Sequence, residues 1–198
     1  EAVPVANRMN ALNEMMAWAL TNQRVKEISK LQKFKQVITA AIGLLKDGCD
    51  VIAQHQDTAG PQIAAQDAGK YSVGYNSDMK SFAPKANLTS AIWKWEVYYE
   101  PAIKSAMDGS FASSQYFEGL DKGVVAATKL NTDIIKDTTI QSKVDAAEAK
   151  IKGGYNIFTG PLKDNTGKEV IPAGKSATDE ELLSMMYFVE GVDGVIPK

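Results

Sequence analysis

The stretch from Gly48 to Met79, GCDVIAQHQDTAGPQIAAQDAGKYSVGYNSDM, constrains the fold of this chain more than any other. Asp50-Val51-Ile52-Ala53 reads as a buried strand that ends in the polar cluster Gln54-His55-Gln56-Asp57. A turn at Thr58 to Pro61 then leads into a short amphipathic helix with Ile63, Ala64 and Ala68 inward and Gly69 as its stop. A second strand follows at Tyr71 to Tyr75, and it too ends in polar residues, Asn76-Ser77-Asp78. Strand, helix and strand in this order build a parallel α/β sheet, and ligands of such sheets bind beyond the carboxyl ends of the strands. Two neighbouring strands that finish in hydrogen-bonding side chains therefore mark a candidate site, although each of those residues also suits an ordinary cap or turn.

Composition narrows the function classes. The chain has 198 residues, of which 44% are hydrophobic and 23% charged, enough for one sizeable domain or two small lobes around a real core. A net charge of -2 gives no basic surface in bulk, which argues against nucleic acid or an anionic membrane as the main partner. Cys49 is the single cysteine and His55 the single histidine, so no intrachain disulfide or thiol pair is available. Cys49 reads as a small apolar filler, and a Cys49–His55 nucleophilic pair is disfavoured because opposite ends of a strand do not meet. No apolar run reaches the roughly 18 residues that a membrane span needs. The chain opens at Glu1 without an initiator Met, and a processed, trimmed or partial product is expected from that.

The remaining elements follow from periodicity. Residues 1–20 read as an amphipathic helix carrying Val5, Met9, Leu12 and Met16, with Met15, Met16 and Trp18 packing a core. Arg24 to Leu31 is weakly strand-like, and Lys33 to Lys46 is a helix with Phe34, Val37, Ile38, Ala41, Ile42 and Leu45 on one face. A strand is expected at Leu88 to Ile92, a helix through Pro101 to Met107, and a turn with a short strand within Gly119 to Ala127. Thr138 to Lys152 is a helix with Ile140, Val144, Ala147 and Ile151 inward. Ile157 to Ile171 forms a hairpin around Asn165-Thr166-Gly167. Thr178 and Glu181 form a capping box ahead of Leu182, Leu183 and Met186, and the tail from Val189 to Pro197 is extended.

Trp93-Lys94-Trp95-Glu96-Val97-Tyr98-Tyr99 concentrates aromatic rings. Such faces stack on planar heterocycles or sugar rings, while Tyr98 and Tyr99 also suit the packing of a helix on a sheet. No P-loop, GxSxG, HExxH or EF-hand pattern is present, and neither a metal site nor a catalytic constellation is expected.

The segments GCDVIAQHQDTAG, YSVGYNSDMKSFAP, LTSAIWKWEVYY and FTGPLKDNTGKEVIPAG, with EELLSMMYFVEGVDGVIPK, together resemble the basic membrane protein family of ABC-transporter substrate-binding lipoproteins, which includes purine nucleoside receptors. The resemblance runs in order from about Gly48 to the C-terminus and is looser over residues 1–47. It implies a type I periplasmic-binding-protein fold, α/β with a parallel sheet flanked by helices, and with the first lobe largely missing before Glu1. Residues 1–47 would then be a remnant of the first lobe plus the leading helix of the second, and residues 48–198 the second lobe with its crossover segments, hairpin and tail. The family's aromatic and Asp-containing loop before the Lys33 helix is replaced by EISKLQKFK.

The implied function is an extracytoplasmic, non-enzymatic receptor that hands a purine base or nucleoside to an ABC permease, without cofactor and with the membrane touched only through a lipid anchor upstream. Mapped residue by residue, Asp78 falls at the family's acidic cleft position, with Asn76 in the same turn. Gln54, His55 and Asp57 fall where the preceding strand reaches the cleft. Trp93 falls where nucleoside-binding members resemble one another in having a lysine, which suits a stacked free base better than a nucleoside. Two other functions compete: a purine-handling enzyme using Asp57 or Asp78 as a base, and a structural remnant that binds nothing.

Overall fold

A computed structural model describes residues 25–196, and the helix expected over residues 1–20 lies outside them. The first described element, α1 (Val25–Lys46), is one continuous helix. Residues 25–31, expected as a strand, are helical. The helix nucleated on the stripe Phe34, Ile38, Ala41 and Leu45 extends back through them, because each residue added to a formed helix gains a backbone hydrogen bond. Gly48, at φ 95°, ends the helix in the left-handed conformation that glycine adopts without penalty.

The central unit is β1 (Val51–Ala53), α2 (Gly60–Asp67), β2 (Tyr71–Asn76) and β3 (Asn87–Trp93). Val51 pairs with Tyr71 and Ala53 with Val73 in parallel register, and Tyr75 pairs with Ala91, also in parallel. A fourth strand, β4 (Val125–Ala127), joins β3 antiparallel, so the sheet order is β1-β2-β3-β4 with its direction reversed only at the last strand. This is the expected α/β sheet flanked by helices.

One face of that sheet carries the core. Ile52, Ser72, Gly74, Asn87 and Ser90 are buried, and Ala41, Ile52, Ala64, Ala65, Ala83 and Ala86 form the apolar cluster, with Ile42, Leu45 and Cys49 against it. Cys49 thus has the filler role that its sequence context suggests. Small side chains let the layers close. A Cβ on Gly60 would lie 2.7 Å from Ile38 Cγ1 and 3.0 Å from a Phe34 ring carbon, so only glycine lets α2 seat on α1 here.

The opposite face is more open, which corrects two expectations. β1 is not buried on both sides: Val51 is 46% exposed, because in a pleated strand only alternate residues turn to the helices. Ala68, expected inward, is exposed beyond the end of α2.

Contacts divide the molecule into two compact units, one comprising the described residues up to Glu100 together with Val124–Ser142, the other Pro101–Gly123 and Lys143–Lys198. The helix α3 (Glu96–Asp108) begins five residues before the expected Pro101, which therefore lies inside the helix and supplies no N–H for the i→i−4 bond at that position. Tyr99, expected to pack, is 54% exposed. The second unit contains most of α4 (Thr138–Lys152), the hairpin β5 (Leu162–Lys163) with β6 (Glu169–Ile171), and α5 (Asp179–Leu183). Its hairpin turn is held by Asp164, whose carboxylate accepts from the N–H groups of Thr166 and Lys168. The capping box at Thr178 and Glu181 forms as the sequence predicts. Burial is shallower than the periodicity suggests: no residue of α4 is buried, Ile140 and Ala147 are exposed, and Leu183 and Met186 are 58% and 75% exposed. The tail is turn-rich rather than extended, tied back where Glu190 N–H donates to the Lys163 carbonyl.

Candidate ligand site at the strand ends

The carboxyl ends of β1, β2 and β3 assemble an aromatic row. Tyr75 is paired with Ala91, and Trp93, two residues further along β3, stands on the same face. The Trp93 indole Nε1–H donates to the Tyr75 hydroxyl at 3.3 Å. On the other side His55, just past β1, meets the Tyr75 ring edge to face, with centroids 4.6 Å apart and planes at 72°. Trp95 stacks on Trp93 at 5.1 Å and 19°, and Tyr99 on Trp95 at 6.1 Å and 26°. Trp93 and Tyr75 are half-buried, while His55, Trp95 and Tyr99 are exposed. The row therefore presents aromatic surface at the mouth of the sheet and is not sealed beneath a helix.

Polar groups stand beside it. Asn76 sits at φ 71°, the left-handed conformation that asparagine tolerates better than other side chains, and turns its amide Nδ2 to Asp57 Oδ1 at 3.2 Å. The loops after β1 and β2 are thereby joined directly. Asp78 follows in the same turn, its Oδ1 accepting from the Lys80 N–H at 2.9 Å. Asp57 and Asp78 are both exposed, so each can meet a ligand donor. Behind them Lys80 pairs with Asp133 at 2.9 Å, and that ion pair holds the Asp133 carboxyl below the usual carboxylate range.

Of the sequence-predicted residues, His55, Asp57, Asn76 and Trp93 reach one mouth, with Asp78 in the turn that carries Asn76. Gln54 is directed elsewhere. Its amide nitrogen reaches the carbonyls of Gln56 and Thr58 at 2.8 and 2.9 Å and lies 3.3 Å from Met79 Sδ, while its Oε1 accepts from Gln62. Gln54 shapes the loop rather than offering its amide outward. Tyr75 was missed, yet the period-two alternation that places Val73 and Tyr75 on one face was a sufficient signal. No group of three or more histidine, cysteine or acidic side chains that could hold a metal ion occurs among the described residues. A separate cavity of about 570 Å³ lies in the second unit, lined by Phe117, Leu120, Ile151, Tyr155, Phe158 and Leu182, and contains none of these site residues.

An open parallel-rich sheet with convergent polar and aromatic groups at its strand ends is the arrangement at which α/β proteins commonly bind small molecules. Comparison with known proteins makes it specific. The model of the family described as ABC transporter substrate-binding protein PnrA-like matches residues 23–158. A purine-binding protein of Brucella abortus (strain 2308) is 34% identical over 203 aligned positions, covering all of this chain and 57% of the relative. The putative ABC transporter glucose-binding protein TsgA13 of Haloferax volcanii is 33% identical over 159 positions, covering 80% of this chain and 38% of the relative. A solved structure of a transcriptional activator of the comK gene from Bacillus halodurans superposes with a TM-score of 0.55 at 19% identity, covering 63% of this chain and 44% of that one, a likeness of fold alone. The chain belongs to the PnrA-like family of ABC transporter substrate-binding proteins. It spans about half the length of the curated relatives it matches. No helix among the described residues is long and apolar enough to cross a membrane.

Proposed function

We propose that this chain supplies a ligand-binding surface of an extracytoplasmic substrate-binding component of an ABC importer, and that its ligand is a purine, a free base in preference to a nucleoside. The carrying observation is the aromatic row His55–Tyr75–Trp93 beside Asp57, Asn76 and Asp78. A purine has an apolar π-face and an edge of N–H groups and ring nitrogens. Trp93 and Tyr75 offer the flat surface, and stacking of a base on an aromatic ring contributes about 1–3 kcal/mol. Asp57 and Asp78 accept from ligand N–H groups, and the Asn76 amide holds Asp57 in place. The indole N–H is already satisfied by Tyr75, so Trp93 acts through its face. Nothing in this arrangement calls for bond making, and the product of binding is release to a permease partner. Family membership and the name of the Brucella relative support the purine; the Haloferax relative's name keeps a sugar as the competing ligand, because a hexose also stacks on indole and donates to carboxylates.

Calorimetric titration of the chain with adenine, adenosine and glucose tests this reading. Adenine is expected to bind most tightly and adenosine more weakly. Preferred binding of glucose, or no heat with any of the three, would overturn it, and conversion of adenosine to a product would favour the enzyme alternative.

A further inference from the structure

Beneath the candidate site lies a buried polar cluster centred on Gln62, in the first turn of α2, with no solvent exposure. Its amide nitrogen donates to Gln54 Oε1 at 3.0 Å and to the Val73 carbonyl at 2.9 Å. Its Oε1 accepts from the Ser72 hydroxyl at 2.5 Å and from Asn87 Nδ2 at 2.9 Å. Both hydrogens and both lone pairs of the side-chain amide are thus used.

The partners lead in two directions. Through Gln54 the cluster reaches the carbonyls of Gln56 and Thr58, and so shapes the loop that carries His55 and Asp57. Through Asn87, whose Nδ2 also lies 3.3 Å from Ser90 Oγ, it reaches the Met79 N–H, which donates to that hydroxyl at 3.1 Å. Met79 directly follows Asp78. A core that only needed filling would place an apolar side chain at this position, because buried amides stabilise only when every partner is met.

We propose that Gln62 is a positioning residue that sets the two site loops, residues 54–58 and 77–80, in a common geometry, so that the carboxylates of Asp57 and Asp78 face the same ligand. The role rests on the strand-end site proposed above. Gln62 touches no ligand itself; it acts through Gln54 on one side and through Asn87 and Ser90 on the other. The two arms are separable, because the donor end of the amide serves the first and the acceptor end the second.

Residue-resolved amide hydrogen exchange on the full chain tests the proposal without any ligand. In Gln62→Met, which removes both arms at similar volume, exchange is expected to accelerate at least about tenfold at Met79 and at Thr58, whose N–H donates to Gln56 Oε1 inside the loop that Gln54 ties together. Lys94, whose N–H donates to the Val124 carbonyl in the β3–β4 pair, serves as the remote reference and should hold within about twofold. Gln54→Met cuts the first arm at similar volume and leaves the acceptor end of Gln62 in place, and is expected to loosen Thr58 alone; Ser90→Ala is expected to loosen Met79 alone. These two milder variants carry the test if Gln62→Met does not fold. Equal acceleration at Thr58, Met79 and Lys94, or none at the two loops, would make Gln62 a core filler and overturn the proposal. Adenine titration adds the functional readout, with affinity expected to fall about tenfold or more in Gln62→Met and unchanged affinity counting against a positioning role. Failure of the unaltered chain to bind adenine would count against the ligand and leave the exchange results to decide the role of Gln62.

Discussion

Gly74 offers a perturbation whose cost can be worked out from the packing around it. It sits in β2 between β1 and β3, is buried, and faces Ser90 and Asn87. A Cβ there would collide with the Ser90 hydroxyl oxygen and lie 3.0 Å from Ser90 Cβ and 3.1 Å from Asn87 Nδ2. In Gly74→Ala the Ser90 side chain must therefore rotate, and its hydrogen bond from the Met79 N–H is lost. An orphaned buried donor costs about 1–3 kcal/mol, and overpacking of a tight core about 1–3 kcal/mol. Reduced freedom of the unfolded chain returns about 0.4–1 kcal/mol. A net destabilisation of about 2–4 kcal/mol is expected from these opposing effects. Urea unfolding followed by tryptophan fluorescence measures it, since Trp93 and Trp95 both report on this unit. Combined with Ser90→Ala, the clash partner is removed, and the double variant should be less destabilised than the sum of the singles by about 1 kcal/mol or more. A Gly74→Ala chain within about 0.5 kcal/mol of the original, or strictly additive variants, would refute the close-approach argument.

Further outcomes follow from other sites. Trp93→Ala should weaken adenine binding by about 1–3 kcal/mol in calorimetric titration, whereas Trp93→Phe, which keeps a ring, should retain most of the affinity. Thr178→Ala removes the side-chain acceptor for the Glu181 N–H and should destabilise the second unit by about 1 kcal/mol, read as local amide exchange in Asp179–Leu183. Hydrogen bonds from Lys70 to Asp50, from Lys80 to Asp133 and from Thr166 to Asp164 lower those three carboxyl pKa values below the ordinary aspartate value of 3.8. The unfolded chain then binds more protons in acid, so their contribution is present above the ordinary value and is lost as pH falls through the lowered one. The urea midpoint should drop between about pH 5 and pH 3 and should not improve, and a midpoint that rises on acidification would contradict those pairings.

The sequence made the sheet legible because its strands are bounded by strong punctuation. Gly48, Gly69 and the polar clusters after Ala53 and Tyr75 mark ends that local chemistry enforces, whereas the β2–β3 register, shifted between Ser72 and Val73, was not legible. The strand expected near Val25 gave way to helix because the segment is short and adjoins the long stripe Phe34, Ile38, Ala41 and Leu45, from which a formed helix extends at little further cost. The depth of burial was not legible in α4 or α5, since periodicity tells which residues share a face but not what lies against it. At the site, Asp57 and Asn76 stood out as polar residues at predicted strand ends, and Trp93 through an aromatic run and the family resemblance. The role of Gln54 depended on a buried glutamine eight positions along that sequence gives no reason to orient inward. Tyr75 was within reach by counting alternate positions from Val73, whereas its hydrogen bond to Trp93 needed the cross-strand register.

The central claim is that the paired loops after β1 and β2 hold a flat heterocycle through carboxylates beside an aromatic face. Calorimetric titration of the Asp57→Asn, Asp78→Asn double variant with adenine, beside the unaltered chain, measures this most directly. The account predicts measurable binding by the unaltered chain and a loss of at least about 100-fold in the double variant, two charge-assisted hydrogen bonds at about 1.5–3 kcal/mol each. Equal affinity in the two chains, with both still folded, would contradict it.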